Sequence, residues 1–227
     1  MDTVILAAGE GTRLGALTQE KPKTLVSLNG KPILEHILAA LPTEGHIYVV
    51  VNHHAGQVEQ FCAAHPSAAR ITCIPQGELT GTYGALVSAQ EFLTAPFLVL
   101  NGDDIHSRQN LMELVALPRA MGVHRCVKEK YHAIDTDIDD FFTGMRPQTP
   151  EEMQRGARIA TGAYVLDPQF FILPPQHTKN GEYGIPHTLL AASDVYPIRV
   201  VEMPDWLPVN TPEDLEYAQK HQPRENE

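Results

Sequence analysis

Gly9-Glu10-Gly11-Thr12-Arg13 puts two glycines, a hydroxyl and a forked cation in one short run directly after the apolar stretch Thr3-Val4-Ile5-Leu6. Glycines let a backbone approach a polyphosphate, and successive N–H groups form a nest for anions. Arg13 adds a bidentate donor for phosphate oxygens, and Lys21-Pro22-Lys23 supplies two more cations that can fold over the same pocket. On its own, such a turn serves a phosphate or simply reverses the chain. It is not G-x-x-x-x-G-K-[ST], which excludes a P-loop. Leu14 stands where a dinucleotide fingerprint would gain its third glycine. Further along, Leu98-Val99-Leu100-Asn101-Gly102-Asp103-Asp104 ends another apolar run in two carboxylates. Hard oxygens of this kind suit Mg²⁺, which takes one or two carboxylates plus substrate phosphates.

Composition narrows the partners. The 227-residue chain has 17 Lys and Arg against 28 Asp and Glu, a formal charge of −11. That balance argues against broad nucleic-acid binding, which needs a basic footprint, and makes the cations around Arg13 and Lys23 stand out. The three cysteines, Cys62, Cys73 and Cys126, have neither metal-ligand spacing nor a disulfide framework and read as reduced thiols. No signal peptide opens the chain. No apolar run approaches the roughly 18 residues that span a bilayer. The expectation is a cytoplasmic protein with no membrane partner. Histidines are plentiful, but His53-His54 lies on a segment that turns adjacent side chains apart, and they read as solvated.

The elements that must position these residues alternate. Strands are expected at Thr3 to Leu6, Ile47 to Val51, Ile71 to Ile74 and Phe97 to Leu100. Helices are expected at Lys31 to Leu41, Gln57 to Ala64 and Gly81 to Leu93, with Pro32 in a first turn. Such a β-α-β-α-β-α-β order implies an α/β, Rossmann-like fold: a mainly parallel, twisted sheet with helices on both faces. Ligands then bind at the carboxyl ends of the strands, after Leu6, Ile74 and Leu100. Beyond, Gly122 to Val127 and Ile159 to Leu166 read as strands, and Pro186 to Ala192 and Thr211 to His221 as helices. The acidic segment 128–158 reads as a flap over the site or a solvated loop. The whole is expected to form one domain over residues 1–221. Residues 1–104 would be the nucleotide half and 105–221 the acceptor half, with a frayed tail at 222–227.

From Leu6 to Leu38 the chain runs LAAGEGTRLGALTQEKPKTLVSLNGKPILEHIL. It resembles the signature of the sugar-phosphate nucleotidyltransferases, the glucose-1-phosphate uridylyl- and thymidylyltransferase-like enzymes of GT-A type: L-A-A-G-x-G-T-R-L, T-x-x-x-P-K-x-L, then K-P-I/M-L. The resemblance implies that Leu6, Ala7, Ala8, Gly9, Glu10, Gly11, Thr12 and Arg13 hold a triphosphate and that Lys23 contacts phosphates at the reacting centre. Gln76-Gly77-Glu78-Leu79-Thr80-Gly81-Thr82 is similar to the family's base-reading segment. It implies a nucleoside pocket at Gln76, Gly81 and Thr82, and an amide can pair with the imide of UTP or dTTP. A solvated Gln76 and a plain helix cap at Gly81-Thr82 are the alternatives.

The same resemblance makes Asp103 the Mg²⁺ ligand, with Arg13, Lys23 and Asp103 as the catalytic set. Asp104 either assists or caps the following segment. Trp206-Leu207-Pro208-Val209-Asn210-Thr211-Pro212-Glu213-Asp214-Leu215 is similar to W-x-D-x-x-T-P-E-D-L, with Pro208 where the family places a second metal aspartate. Asn210, two residues on, offers the replacement oxygen. Ile159-Ala160-Thr161-Gly162 resembles an acceptor strand in which Ala160 replaces an asparagine. Together with Glu129 and Glu182, Gly162 is the expected acceptor contact. The implied reaction transfers NMP from an NTP to a sugar 1-phosphate. A non-sugar phosphate such as phosphocholine, or a silent nucleotide-binding regulator, stays open. Little chain follows Leu215, so no second catalytic domain is expected, and a homo-oligomer stays open.

Overall fold

The structure is a computed structural model, and it describes residues 1–128 and 130–222. The expected frayed tail therefore lies, from residue 223 on, outside the described residues, as does Glu129.

Among the described residues, nine strands of four or more residues and seven α-helices frame the site. β1 (Asp2–Leu6), β2 (Ile47–Val51), β3 (Ile71–Pro75) and β4 (Phe97–Asn101) are the four expected parallel strands. β5 (Ala120–Cys126), the hairpin β6 (Ala133–Thr136) and β7 (Phe142–Arg146), β8 (Ala157–Leu166) and β9 (Arg199–Glu202) follow. The helices are α1 (Ile33–Ala40), α2 (Ala55–Ala64), α3 (Gly81–Val87), α4 (Arg108–Val115), α5 (Glu152–Arg155), α6 (Ile185–Ala191) and α7 (Pro212–His221). The central sheet has the order β9-β5-β8-β4-β1-β2-β3. Only β8 runs antiparallel to its neighbours β4 and β5, so the sheet is mainly parallel. β8 inserts from the second half beside β4 of the first, and the two halves share one sheet.

Alternating side chains feed two cores, as a sheet covered on both faces requires. Ile5, Val49, Val51, Leu98, Leu100 and Val165 pack with α1, α2, α4 and α7. Val4, Val50, Val99, Tyr164 and Leu166 pack with α3, α6 and the hairpin. Cys62, Cys73 and Cys126 are free. No helix among the described residues is long and apolar enough to cross a membrane.

Four expectations change. Segment 128–158 is neither flap nor solvated loop: Ile134 and Phe142 of the β6–β7 hairpin are buried. Arg146 ties that hairpin to Asp135 at 3.0 Å and to Glu152 at 2.8 Å. The helix expected from Gly81 to Leu93 stops at Val87, because Ser88 Oγ accepts from Gly77 N at 2.9 Å and bonds back to the Gly84 carbonyl, and a short 3-10 turn (Gln90–Phe92) follows. α1 starts at Ile33, since Lys31–Pro32 pairs with Ser27–Leu28 and leaves Pro32 extended at ψ 149. Helix α4 and strand β9 were not expected.

Candidate active site

The carboxyl ends of β1 and β4 carry the proposed chemistry, and backbone contacts hold them together. Gly102 N donates to Leu6 O at 2.9 Å and Ala7 N to Val50 O at 2.9 Å, so the loop after β1 starts tied to both neighbouring strands at the carboxyl end of the sheet. At Gly11 the chain turns with φ 67, and a Cβ there would stand 2.9 Å from Lys23 Cβ. The missing side chain lets the loop close over the Lys23 stem. Thr18 Oγ1 donates to Gly11 O at 2.9 Å and fixes the return of the Thr12–Thr18 turn. Gly9, Glu10, Thr12 and Arg13 are exposed, so the loop is open to solvent.

Lys23 is buried, and its ammonium donates to Asp103 Oδ2 and, at 3.0 Å, to Asn210 Oδ1. Lys23, Asp103 and Asn210 thus meet although they lie on three distant segments. The C-terminal segment reaches this point because Leu207–Pro208 pairs with Asp104–Ile105 and Val209 N donates to Asp103 O at 2.9 Å. Pro208 is buried in that ladder and has no side-chain oxygen to give. Asn210 and Asp103 present hard oxygens to one point, which fits a divalent cation of the Mg²⁺ type.

Asp104 does not cap the next helix. Ser107 does, its Oγ accepting from Asn110 N at 3.2 Å. Asp104 is instead buried, taking hydrogen bonds from Asn101 Nδ2 at 3.0 Å and Trp206 Nε1 at 2.9 Å. Burial first, then the neighbouring Asp103 charge, pushes its carboxyl well above the usual range, against the pull of those two donors. Gly162 turns at φ 75 against this pair: a side chain there would collide with Asn101 Nδ2 and Asp104 Oδ2.

Gln76 is half-buried, its N–H bound to Val51 O and its amide donating to Leu79 O at 2.8 Å. Gly81 and Thr82 open α3 beside Glu182. Tyr83 N donates to Tyr183 O at 3.0 Å, Tyr183 N to Thr80 O at 3.1 Å, and Ile185 N to Thr82 Oγ1 at 3.0 Å. Gly81 and Thr82 from the base side and Glu182 from the acceptor side are therefore neighbours. Glu129 lies outside the described residues.

Asp214 and Lys128 are the residues whose roles the sequence left unread. Buried Asp214 accepts from Asn210 N at 3.2 Å and from the Lys128 ammonium, with Lys130 Nζ 3.6 Å away. Burial alone would raise its pKa; the Lys128 hydrogen bond and charge, then Lys130 and the Asn210 N–H, outweigh that and hold it below the usual carboxylate range. A cleft of about 960 Å³ opens beside this clamp, lined by Cys126, Lys128, Lys130, Trp206, Pro208 and Asp214 among others. The histidine rings of His53 and His54 sit edge-on, 4.1 Å apart. No group of three His, Cys, Asp or Glu among the described residues is arranged to hold a metal.

With this geometry in hand, a family model decides the class: the MobA-like NTP transferase domain matches residues 3–127. The chain belongs to that family. The bifunctional protein GlmU of Methanocaldococcus jannaschii is 32% identical over 185 residues, which take in 81% of this NTP transferase chain and 44% of GlmU. The chain spans about half the length of the GlmU relatives it matches. UTP–glucose-1-phosphate uridylyltransferase AglF of Haloferax volcanii is 29% identical over 244 residues, covering 97% of this chain and 96% of AglF. The solved structure of apo UDP-glucose pyrophosphorylase shares the fold, with a TM-score of 0.80 over 96% of each chain at 16% identity.

Proposed function

We propose that this NTP transferase moves a nucleoside monophosphate from an NTP to a sugar 1-phosphate, releasing pyrophosphate and forming an NDP-sugar. One observation carries the reading: Lys23, Asp103 and Asn210 converge beside an open glycine-rich loop at the carboxyl end of the sheet. The similarity to AglF supports the sugar 1-phosphate as acceptor. Triphosphate oxygens lie over Gly9 to Arg13, and the base lies between Gln76 and Gly81. UTP or dTTP fits the Gln76 amide through imide pairing.

An acceptor phosphate oxygen attacks the α-phosphorus, the new P–O bond forms, and the bond to the β-phosphate oxygen breaks in line. No protein nucleophile is needed, because the acceptor is already an anion. The difficulty is charge: two anions meet and a third leaves. Lys23 and Arg13 supply cations where that charge develops, and positioning with charge neutralisation supplies most of the rate. Asp103 and Asn210 would hold Mg²⁺, which when bound neutralises phosphate oxygens. In this reading Gly162 and Glu182 serve the acceptor side, the role that the sequence resemblance also gives Glu129.

Pyrophosphate release with Mg²⁺, crossing the common NTPs against sugar 1-phosphates and phosphocholine, tests it. Release that needs one NTP and one sugar 1-phosphate together supports the reading. Release with phosphocholine alone moves it to cytidylyl-type transfer. Silence, with an NTP still stabilising the fold, makes the chain a nucleotide-binding regulator.

A further inference from the structure

The Lys23 ammonium stands at the point where Asp103 Oδ2 and Asn210 Oδ1 converge. Its side chain is the closed partner of the ion pair, 10% exposed against 26% for Asp103, and its stem is fixed against Gly11. Those two oxygens are the ones proposed above to hold a divalent cation. Mg²⁺ sits about 2.0–2.1 Å from its oxygens, so an ammonium bonded to the same pair would face it at contact distance with little screening. The two cations exclude each other from this position.

We propose that Lys23 is a resident counter-cation that exchanges with the divalent metal. In the metal-free chain it neutralises Asp103 and orients Asn210. When metal and NTP arrive together, the ammonium moves to the phosphates, which give it a new anionic partner. Metal alone offers it none, so metal alone binds weakly. Metal and nucleotide then strengthen each other's binding by the same factor. This inference rests on the metal reading of Asp103 and Asn210.

Titration with Mn²⁺ alone, following the free ion by electron paramagnetic resonance, tests the exchange on wild type, Lys23→Met and Asp103→Asn. Lys23→Met keeps the apolar stem over Gly11 and removes the charge; Lys23→Gln carries the same prediction should the first variant not fold. Lys23→Met is expected to bind Mn²⁺ about tenfold tighter than wild type, the order expected once a half-buried ion pair need not be broken first. With UTP present the order reverses, since Lys23→Met lacks the phosphate contact. Mn²⁺ affinity in Lys23→Met no higher than in wild type, or no binding by either, overturns the exchange. A failure of the metal reading itself looks different: Asp103→Asn then keeps wild-type Mn²⁺ affinity, which also overturns the exchange.

Discussion

Two lysine–carboxylate pairs flank Asn210 and are built in opposite senses. In Lys23–Asp103 the lysine is the closed partner and the carboxylate the open one, at 10% and 26% exposure. In Lys128–Asp214 the carboxylate is closed at 6% and the lysine open at 41%. The open partner of a pair is the one already accessible before the pair parts. Asp103 therefore has an oxygen side free for chemistry, whereas Asp214 spends both oxygens inside the protein, on the Asn210 N–H and the lysines. In the proposed reading, one pair belongs to the reaction and the other to the wall that shapes it.

Breaking the first pair gives the largest effect. Lys23→Ala and Asp103→Ala are each expected to lower turnover by at least about 10²-fold, through lost preorganised charge stabilisation, while circular dichroism still reports a folded chain. Near-normal turnover in either would remove that residue from the mechanism.

Breaking the second pair moves stability before rate. Asp214→Asn is expected to cost about 2 kcal/mol, because the Asn210 N–H and the lysines lose a charged acceptor, as read from denaturant unfolding. The same variant sharpens the pH contrast. A carboxylate held below its unfolded pKa contributes stability above that value and loses it as pH falls through the folded value. The wild type should therefore lose more stability than Asp214→Asn on going from about pH 5 to pH 2. An equal acid dependence would show that Asp214 is not the titrating anchor.

Smaller effects grade the rest of the wall. Thr211 Oγ1 accepts from Asp214 N at 3.2 Å and caps α7, so Thr211→Ala should cost about 1 kcal/mol. Lys128→Ala should cost under about 1 kcal/mol, as expected for an exposed partner in high dielectric, measured by the same unfolding curves.

The two pairs also differ in how far the sequence reveals them. Lys23 and Asp103 sit in contiguous strand–loop segments whose resemblance to the nucleotidyltransferase signature names both before any fold is known. Asp214 and Lys128 lie 86 positions apart and meet only because the end of β5 and the start of α7 come together in the fold; no local pattern encodes that. The β6–β7 hairpin was unreadable for a related reason: its strands are short, and its acidic turn around Asp137 to Asp140 masks the buried Ile134 and Phe142. Helix α4 buries only Asn110, Leu111 and Leu114, too sparse an apolar stripe to signal a helix. The first four strands, by contrast, are continuous apolar runs and were placed to within a residue or so.

The most direct test of the contrast is pyrophosphate release measured side by side for wild type, Asp103→Asn and Asp214→Asn, with NTP, sugar 1-phosphate and Mg²⁺. Asp103→Asn is expected to fall at least about 10²-fold while Asp214→Asn keeps the larger share of its rate below its own melting temperature. A near-wild-type rate for Asp103→Asn, with Asp214→Asn inactive though folded, would contradict it.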